Sequence, residues 1–431
     1  MSRTIRKQLF STVDLLRKTH KVLEGSLLKK QVNEQEVMGL LADMQEVAIS
    51  MGTMIEQIYG EGEKTVKELE QYCETLYRLT LALQNLPECR NLLKQLKQQA
   101  GRIRVQVGKD IPDRLEAVFL PYKASMWDSL ESIWKAAKED EEAEVYVIPI
   151  PYFDRNPDTS FGKMHYEGDL FPNEVKVTDY QNYDFELRRP DIIFIHNPYD
   201  DGNYVTSVHP FFYSQNLKKF TEKLVYVPYF VGAGDGVAEG MALAKGVWNA
   251  DYVIVQSEDE KQSYIRHFQK YDPRIDPADK LLPLGSPKFD KARAVRRGEV
   301  EVPEDWKKKA GGRKVLLYNT SLSCMLNGNE AYMEKLERVF DFFAGREDAV
   351  LLWRPHPLME TTFASMRPEL YGRYRKLRER FIEEEIGIYD DSSDMYPAIG
   401  FSDAYYGDGS SLVWLYRETG KPVMIQDVNV Q

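Results

Sequence analysis

The sequence predicts an α/β protein: two Rossmann-like halves preceded by an α-helical extension. Three observations predict it. Over about the first 105 residues, apolar side chains recur at three- and four-residue steps and no proline appears before Pro87. From about residue 112, short apolar runs alternate with polar stretches of helix length, and a second such series begins after residue 300. Alternation of this kind marks a parallel sheet covered by helices. The expected segmentation is a helical hairpin or small bundle over 1–110, a first Rossmann-like domain over 111–295 and a second over 296–431. The join is expected in the charged, Pro-bearing stretch Ala292 to Asp305.

In the leading segment, Val37, Leu40, Leu41, Met44, Val47, Ala48, Met51, Met54, Ile55 and Ile58 form one amphipathic stripe. A Gly60-Glu61-Gly62 break separates it from a second stripe through Val66, Leu69, Cys73, Leu76, Tyr77 and Leu83. Such stripes suit a packing or homo-oligomerisation module. The basic start, with Arg3, Arg6, Lys7, Arg17, Lys18 and Lys21 beside Leu9, Phe10, Leu15 and Leu16, also suits peripheral contact with an anionic membrane.

Five strands are expected in the first series: Ala117–Leu120, Val145–Ile148, Asp191–Ile195, Leu224–Val227 and Tyr252–Val255, with a helix over Trp127–Lys138. Five more are expected in the second: Lys314–Tyr318, Ala349–Trp353, Ile386–Tyr389, Asp403–Tyr406 and Pro422–Ile425. Ligands of such sheets bind at the carboxyl ends of the strands, here in a cleft between the halves.

The chain of 431 residues is 43% hydrophobic and 29% charged, as expected of a folded globular protein. A net charge of −11 argues against nucleic acid as a partner. Its three cysteines, Cys73, Cys89 and Cys324, are far apart and predict neither a zinc site nor a disulfide framework. With no signal-peptide core and no run near the roughly 18 apolar residues of a spanning helix, the expectation is a cytoplasmic protein, or one peripheral at the inner face of the membrane.

The chemistry-bearing residues cluster at expected strand exits. Arg354 and His356, in Trp353-Arg354-Pro355-His356-Pro357, follow an apolar run; Arg can fork onto phosphate oxygens and His can donate to developing negative charge. The same two residues would equally serve as a local ion pair and a loop cap. Ser410 and Ser411, in Asp408-Gly409-Ser410-Ser411, precede a helix-like run, where a hydroxyl can cap the helix or meet a phosphate. Gly285 and Lys288, in Leu284-Gly285-Ser286-Pro287-Lys288, make a tight loop with a cation in reach of phosphate. Gly232, Gly234 and Asp235 form a glycine-rich exit without dinucleotide-motif spacing or a P-loop lysine, expected to line the cleft. His196 ends an apolar run and is the most placeable of the other histidines as a catalytic group. No GxSxG, HExxH or Asp-x-Asp pattern is present, so no cofactor is required by motif, although Mg2+ bridging a donor's phosphates fits the same chemistry.

In order, these pieces resemble the CDP-glycerol glycerophosphotransferase family, the teichoic-acid polymerase and primase-like enzymes. The stretches are Ala250–Ser257, Gly285–Asp290, Lys314–Ser321, Arg354–Pro357, Asp394–Tyr396 and Ser402–Asp403 through Gly420–Pro422, within a match over residues 115–431. The resemblance implies a GT-B type fold, with the donor on the C-terminal half and a polyol-phosphate or glycan acceptor on the N-terminal half. It implies transfer of glycerophosphate from a CDP-activated donor to a hydroxyl of a cell-surface polymer precursor, with release of CMP. It also implies that Arg354, His356, Ser410 and Ser411 hold the donor phosphates. The same residues would hold any nucleoside diphosphate, which leaves a nucleotide-sugar glycosyltransferase as an alternative. Where the family has a Trp-His-Gly-Thr-Pro-type segment supplying a base, this chain has Val227-Pro228-Tyr229-Phe230-Val231-Gly232, which leaves His196 or Asp235 as substitutes and a non-catalytic binding protein as a further alternative. The family's Asp-Tyr-Ser-Ser becomes Asp408-Gly409-Ser410-Ser411, and its closing C-terminal helices are expected to be shortened before Gln431.

Overall fold

The computed structural model describes residues 2–27, 33–296 and 301–426. It shows an α/β protein: two Rossmann-like parallel sheets with an N-terminal helical extension. The chain divides into two compact units, Met1–Leu120, Ala136–Ile195 and Asn203–Val225 in the first, Pro121–Lys135, His196–Gly202 and Tyr226–Gln431 in the second.

The helical extension is a four-helix bundle of α1 (Arg3–Leu27), α2 (Glu34–Tyr59), α3 (Lys64–Leu81) and α4 (Leu86–Asp110), in which α1 packs on both α2 and α4. In α1 the buried residues are Ile5, Leu9, Val13, Leu16, His20, Leu23 and Leu27; in α2 they include Val37, Leu41, Met44, Ala48, Met51 and Ile55. Both sets step by four and three, the repeat that keeps one seam facing a partner helix. Asn33 and Asn85 cap the starts of α2 and α4 by accepting hydrogen bonds from Glu36 N and Glu88 N.

The arginines of the basic start of α1 pair within the unit. Arg3 pairs with Asp113 and Glu142, and Arg6 with Asp113. Arg17 pairs with Asp14, and Phe10 lies under the guanidinium groups of both Arg6 and Arg104. Leu9 and Leu16 face the bundle core rather than solvent. Lys7, Leu15, Lys18 and Lys21 of the same start are exposed. No helix among the described residues is long and apolar enough to cross a membrane.

His20 is 1% exposed, with Nε2 2.7 Å from the Tyr72 hydroxyl and Nδ1 without a partner among the described residues. Burial, reinforced by the nearby cations Lys97 and Arg17, lowers its pKa to about 4. The unfolded chain, with a histidine pKa of about 6.5, binds more protons across that interval, so stability is full above pH 6.5 and falls as the pH drops toward 4. The whole effect is about 3 kcal/mol. Urea denaturation should show that acid loss, and His20→Gln, which keeps a partner for Tyr72, should flatten it. An unchanged pH slope in the variant would contradict the account. Fully buried His196, lowered to about 3, contributes with the same sign.

The first unit's sheet contains β1 (Leu115–Leu120), β2 (Ala143–Val147), β5 (Ile192–Ile195) and β7 (Lys223–Tyr226), neighbours in the order β2-β1-β5-β7. β1 pairs in parallel with β2 and with β5. A separate antiparallel sheet of β3 (Tyr152–Arg155), β4 (Phe161–His165) and β6 (Thr206–Val208) has the order β4-β3-β6. The sequence reading missed it, because its strands mix polar and aromatic residues and contain no apolar run. The buried Asp191 carboxylate, next to β5, accepts hydrogen bonds from Arg3 N (2.9 Å), Thr4 N (3.0 Å), Thr4 Oγ1 (2.9 Å) and Glu116 N (2.9 Å). It thus caps the start of α1 and fixes the start of β1.

In the second unit, β8 (Tyr252–Val255) and β9 (Leu281–Pro283) pair in parallel. The larger sheet holds β10 (Lys314–Thr320), β11 (Ala349–Pro355), β12 (Gly387–Tyr389), β13 (Ala404–Gly407) and β14 (Val423–Ile425), all parallel, in the order β12-β11-β10-β13-β14. Apolar cores cover it on both sides: Leu317, Leu352, Ile388 and Tyr405 join one, and Tyr318, Leu351 and Trp353 the other. All ten expected strands are present. The expected helix Trp127–Lys138 is split into a 3-10 turn, Ala124–Ser129, and a helix, Glu131–Glu139, because the Ser129 hydroxyl donates to Met126 O.

Candidate functional site

Numbered by chain order, the five-stranded sheet runs 3-2-1-4-5, so the direction of winding reverses between β10 and β13. At such a reversal the crossover helices leave to opposite faces and open a crevice beyond the strand ends. The chain at those ends is Asn319-Thr320 closing β10 with Ser321 after it, His356 after β11, and Asp408-Gly409-Ser410-Ser411 after β13.

His356 is half-buried beside the β10 exit, its N–H donating to Thr320 O at 3.0 Å. Its Nδ1 accepts from Leu358 N at 3.1 Å, which assigns the proton of the neutral ring to Nε2. Desolvation lowers its pKa, so this neutral donor persists to lower pH than in an ordinary histidine. No partner for Nε2 is found among the described residues.

Ser410 Oγ accepts from Leu412 N at 3.2 Å and from Asn319 Nδ2 at 3.0 Å, and its hydroxyl also meets that of buried Tyr405. Ser411 is exposed at the first position of the following helix. On the other side of the reversal, Ser321 caps the helix Leu322–Phe343 by accepting from Cys324 N at 3.3 Å, and its hydroxyl lies 3.3 Å from that of Ser323. These exits therefore offer neutral hydroxyls and an imidazole N–H, groups that suit an anion without a permanent charge of their own.

Four expected site features take other roles. The Arg354 guanidinium, 7% exposed, is held by Asp390 and donates to Ser392 Oγ at 3.2 Å and Ser392 O at 2.8 Å. Its charge is spent on the turn after β12 rather than offered to a phosphate. Buried Lys288 places Nζ 2.7 Å from Asp128 Oδ2, which also accepts from the Tyr396 hydroxyl at 2.8 Å, so this cation is internal too. Gly285, at φ +92°, still permits the tight turn before it. His196 is fully buried: Tyr122 N donates to Nε2 at 3.1 Å, and Nδ1 lies 3.0 Å from the Ser129 hydroxyl. With both nitrogens engaged and its pKa lowered to about 3 by burial, it is a poor base and an effective loop anchor.

The glycine-rich loop is likewise pinned. Gly232 N donates to Gln256 Oε1 at 3.0 Å, Ser257 Oγ donates to Gly234 O, and Gly234 lies at φ +77°. Asp235 is exposed at the tip. The loop is thus bound to the β8 exit and does not present Gly232 N–H to a ligand.

The residues missed from sequence are Asn319, Ser321, Asp408 as a buried acceptor, and Lys335. A signal existed for the last. Lys335 stands within the apolar stripe Tyr332, Met333, Leu336, Val339 and Phe340, where a cation requires a buried counter-charge.

No protein-family model and no curated protein matches the chain. Solved structures do match. The chain is similar to the S. aureus MnaA–UDP co-structure, at 13% identity over 72% of this chain and 78% of that one, with a TM-score of 0.45. It is similar to the UDP-GlcNAc 2-epimerase from Neisseria meningitidis bound to UDP-GlcNAc, at 12% identity over 72% and 82%, with a TM-score of 0.43. It is also similar to the wall teichoic acid polymerase TagF, at 13% identity over 81% and 78%, with a TM-score of 0.40. The last bears the name of the polymerase class that the motif order resembles. At these scores no residue role is carried over, and the fold description stands on the chain's own strand order.

Proposed function

We propose that the second unit holds the diphosphate of a CDP-activated alditol, and that the protein transfers the alditol phosphate to a hydroxyl of a polyol-phosphate or glycan acceptor, releasing CMP. One observation carries the reading: the winding reversal of the five-stranded sheet brings Ser321, His356 and Ser410 to adjacent strand exits, with the His356 Nε2–H unpartnered among the described residues. In the transfer, the acceptor oxygen bonds to the alditol-bearing phosphorus and the bond to the bridging oxygen breaks. CMP leaves with the electron pair, and the acceptor's proton passes to solvent. The transition state of such a transfer is loose, so stabilising the departing charge matters more than a strong base. Neutral donors at the strand exits fit that demand. Among the described residues no group of three or more His, Cys, Asp or Glu could hold a metal, so magnesium taking part would be carried on the donor's own phosphates.

The test is calorimetric titration with CDP-glycerol, with and without magnesium, together with chromatography of CMP released in the presence of a polyol-phosphate acceptor. The wild type should bind and release CMP, and His356→Ala should lower CMP release by about 100-fold, the usual cost of losing one such donor. Selective binding of a UDP-sugar would replace this reading with the glycosyltransferase one. A second reading is favoured by one specific observation, the engagement of both His196 nitrogens, which removes one of the two expected bases. The protein would then bind the nucleotide without turnover, and binding with no CMP release in the wild type would establish it.

A further inference from the structure

We infer that Lys335 is a positioning residue of the anion site proposed above, acting through Asp408; the inference rests on that reading. Asp408 follows β13, and its side chain is fully buried. Its Oδ2 accepts from Ser321 N at 2.6 Å, across the winding reversal, and its Oδ1 accepts from Lys335 Nζ at 2.6 Å. Lys335, 4% exposed, also donates to Gln426 O, and Gln426 N donates to Gly407 O at 2.7 Å. One ammonium and one carboxylate therefore join the exits of β10, β13 and β14. The nearby Tyr318 hydroxyl is buried without a partner among the described residues, and Asp408 helps to raise its pKa after burial itself.

Two consequences follow from charge. A carboxylate at the strand end beside Ser410 would repel a diphosphate, and Lys335 cancels it. The same carboxylate, held in place by Lys335, fixes the Ser321 backbone N–H at the end of β10. Removing Lys335 alone leaves a buried, uncompensated negative charge at the anion site. Removing both charges with Lys335→Met and Asp408→Asn leaves an amide oxygen that still accepts from Ser321 N.

The experiment titrates CDP-glycerol and cytidine into the wild type, Lys335→Met and the double variant. CDP-glycerol affinity should fall by about 30-fold in Lys335→Met and recover to within about 5-fold of wild type in the double variant. Cytidine, which carries no phosphate, should change little, a separation that a merely structural role would not produce. Equal affinity in Lys335→Met and wild type, or a double variant as weak as the single, would overturn the inference. If Lys335→Met does not fold, a folded double variant supports the charge argument, and misfolding of both overturns it. If the wild type binds no nucleotide, the proposed function fails on its own, and hydrogen exchange at the Ser321 amide decides the clamp without ligand. Protection lost in the single variant and kept in the double supports it; equal protection in all three rejects it.

Discussion

Asp191→Ala is expected to lower the unfolding free energy of the first unit by about 4 kcal/mol, the largest loss among the single substitutions considered, because one buried carboxylate satisfies four donors. Two of these, Arg3 N and Thr4 N, belong to the first turn of α1, whose backbone N–H groups have no intrahelical partner and whose dipole favours a negative charge. A third, Glu116 N, lies at the start of β1 and is buried. Alanine would leave that N–H unsatisfied and uncap the bundle's first helix together. Asp191→Asn keeps one acceptor oxygen and should lose roughly half as much. Urea denaturation followed by far-ultraviolet circular dichroism measures both. A loss below about 1 kcal/mol for the alanine variant would show that water replaces the carboxylate at no cost.

Gly407→Ala should disrupt the second unit at the proposed site. A Cβ on Gly407 would stand 2.4 Å from Asn319 O and 2.8 Å from Asn319 N, both backbone atoms of the neighbouring strand. Neither can rotate away as a side chain would, so β10 and β13 must move apart where Asn319 pairs with Gly407. The expected cost is on the order of 3 kcal/mol, at the upper end for overpacking. Because Asp408 N donates to Asn319 O at 2.9 Å, the shift reaches Asp408 and Ser410 directly. CDP-glycerol binding should therefore be lost even at temperatures where the variant stays folded. Thermal unfolding and calorimetry on one preparation separate these effects. Wild-type affinity in a folded Gly407→Ala protein would show that the strand exits do not form the site.

The second sheet was legible residue by residue because each strand is an apolar run ended by a polar turn, as in Val350-Leu351-Leu352-Trp353 before Arg354. Strands buried on both faces need such runs, and no solvent-facing alternation dilutes the signal. The bundle was legible for the same kind of reason, its four-and-three spacing. The antiparallel sheet β4-β3-β6 was not, since half-exposed strands such as Phe161-Gly162-Lys163-Met164-His165 carry little hydrophobic pattern. The expected placement of His356, Ser410 and Ser411 at strand exits is what the fold shows. The sequence could not show which charges were already paired, because Arg354 with Asp390, Lys288 with Asp128 and Lys335 with Asp408 join partners 36, 160 and 73 residues apart.

Local physics therefore sufficed for the element order, the fold class and the positions where polar groups leave the sheet, all of which depend on neighbours within a few residues along the chain. Which polar groups remain free for a ligand depends on contacts between distant segments in a medium of low dielectric constant, where an unpaired buried charge is too costly to persist. Packing therefore turned two expected phosphate-binding cations into internal ion pairs and an expected base into a buried anchor. It left neutral donors at the reversal of the sheet, with a lysine beneath them that no local pattern could connect to Asp408.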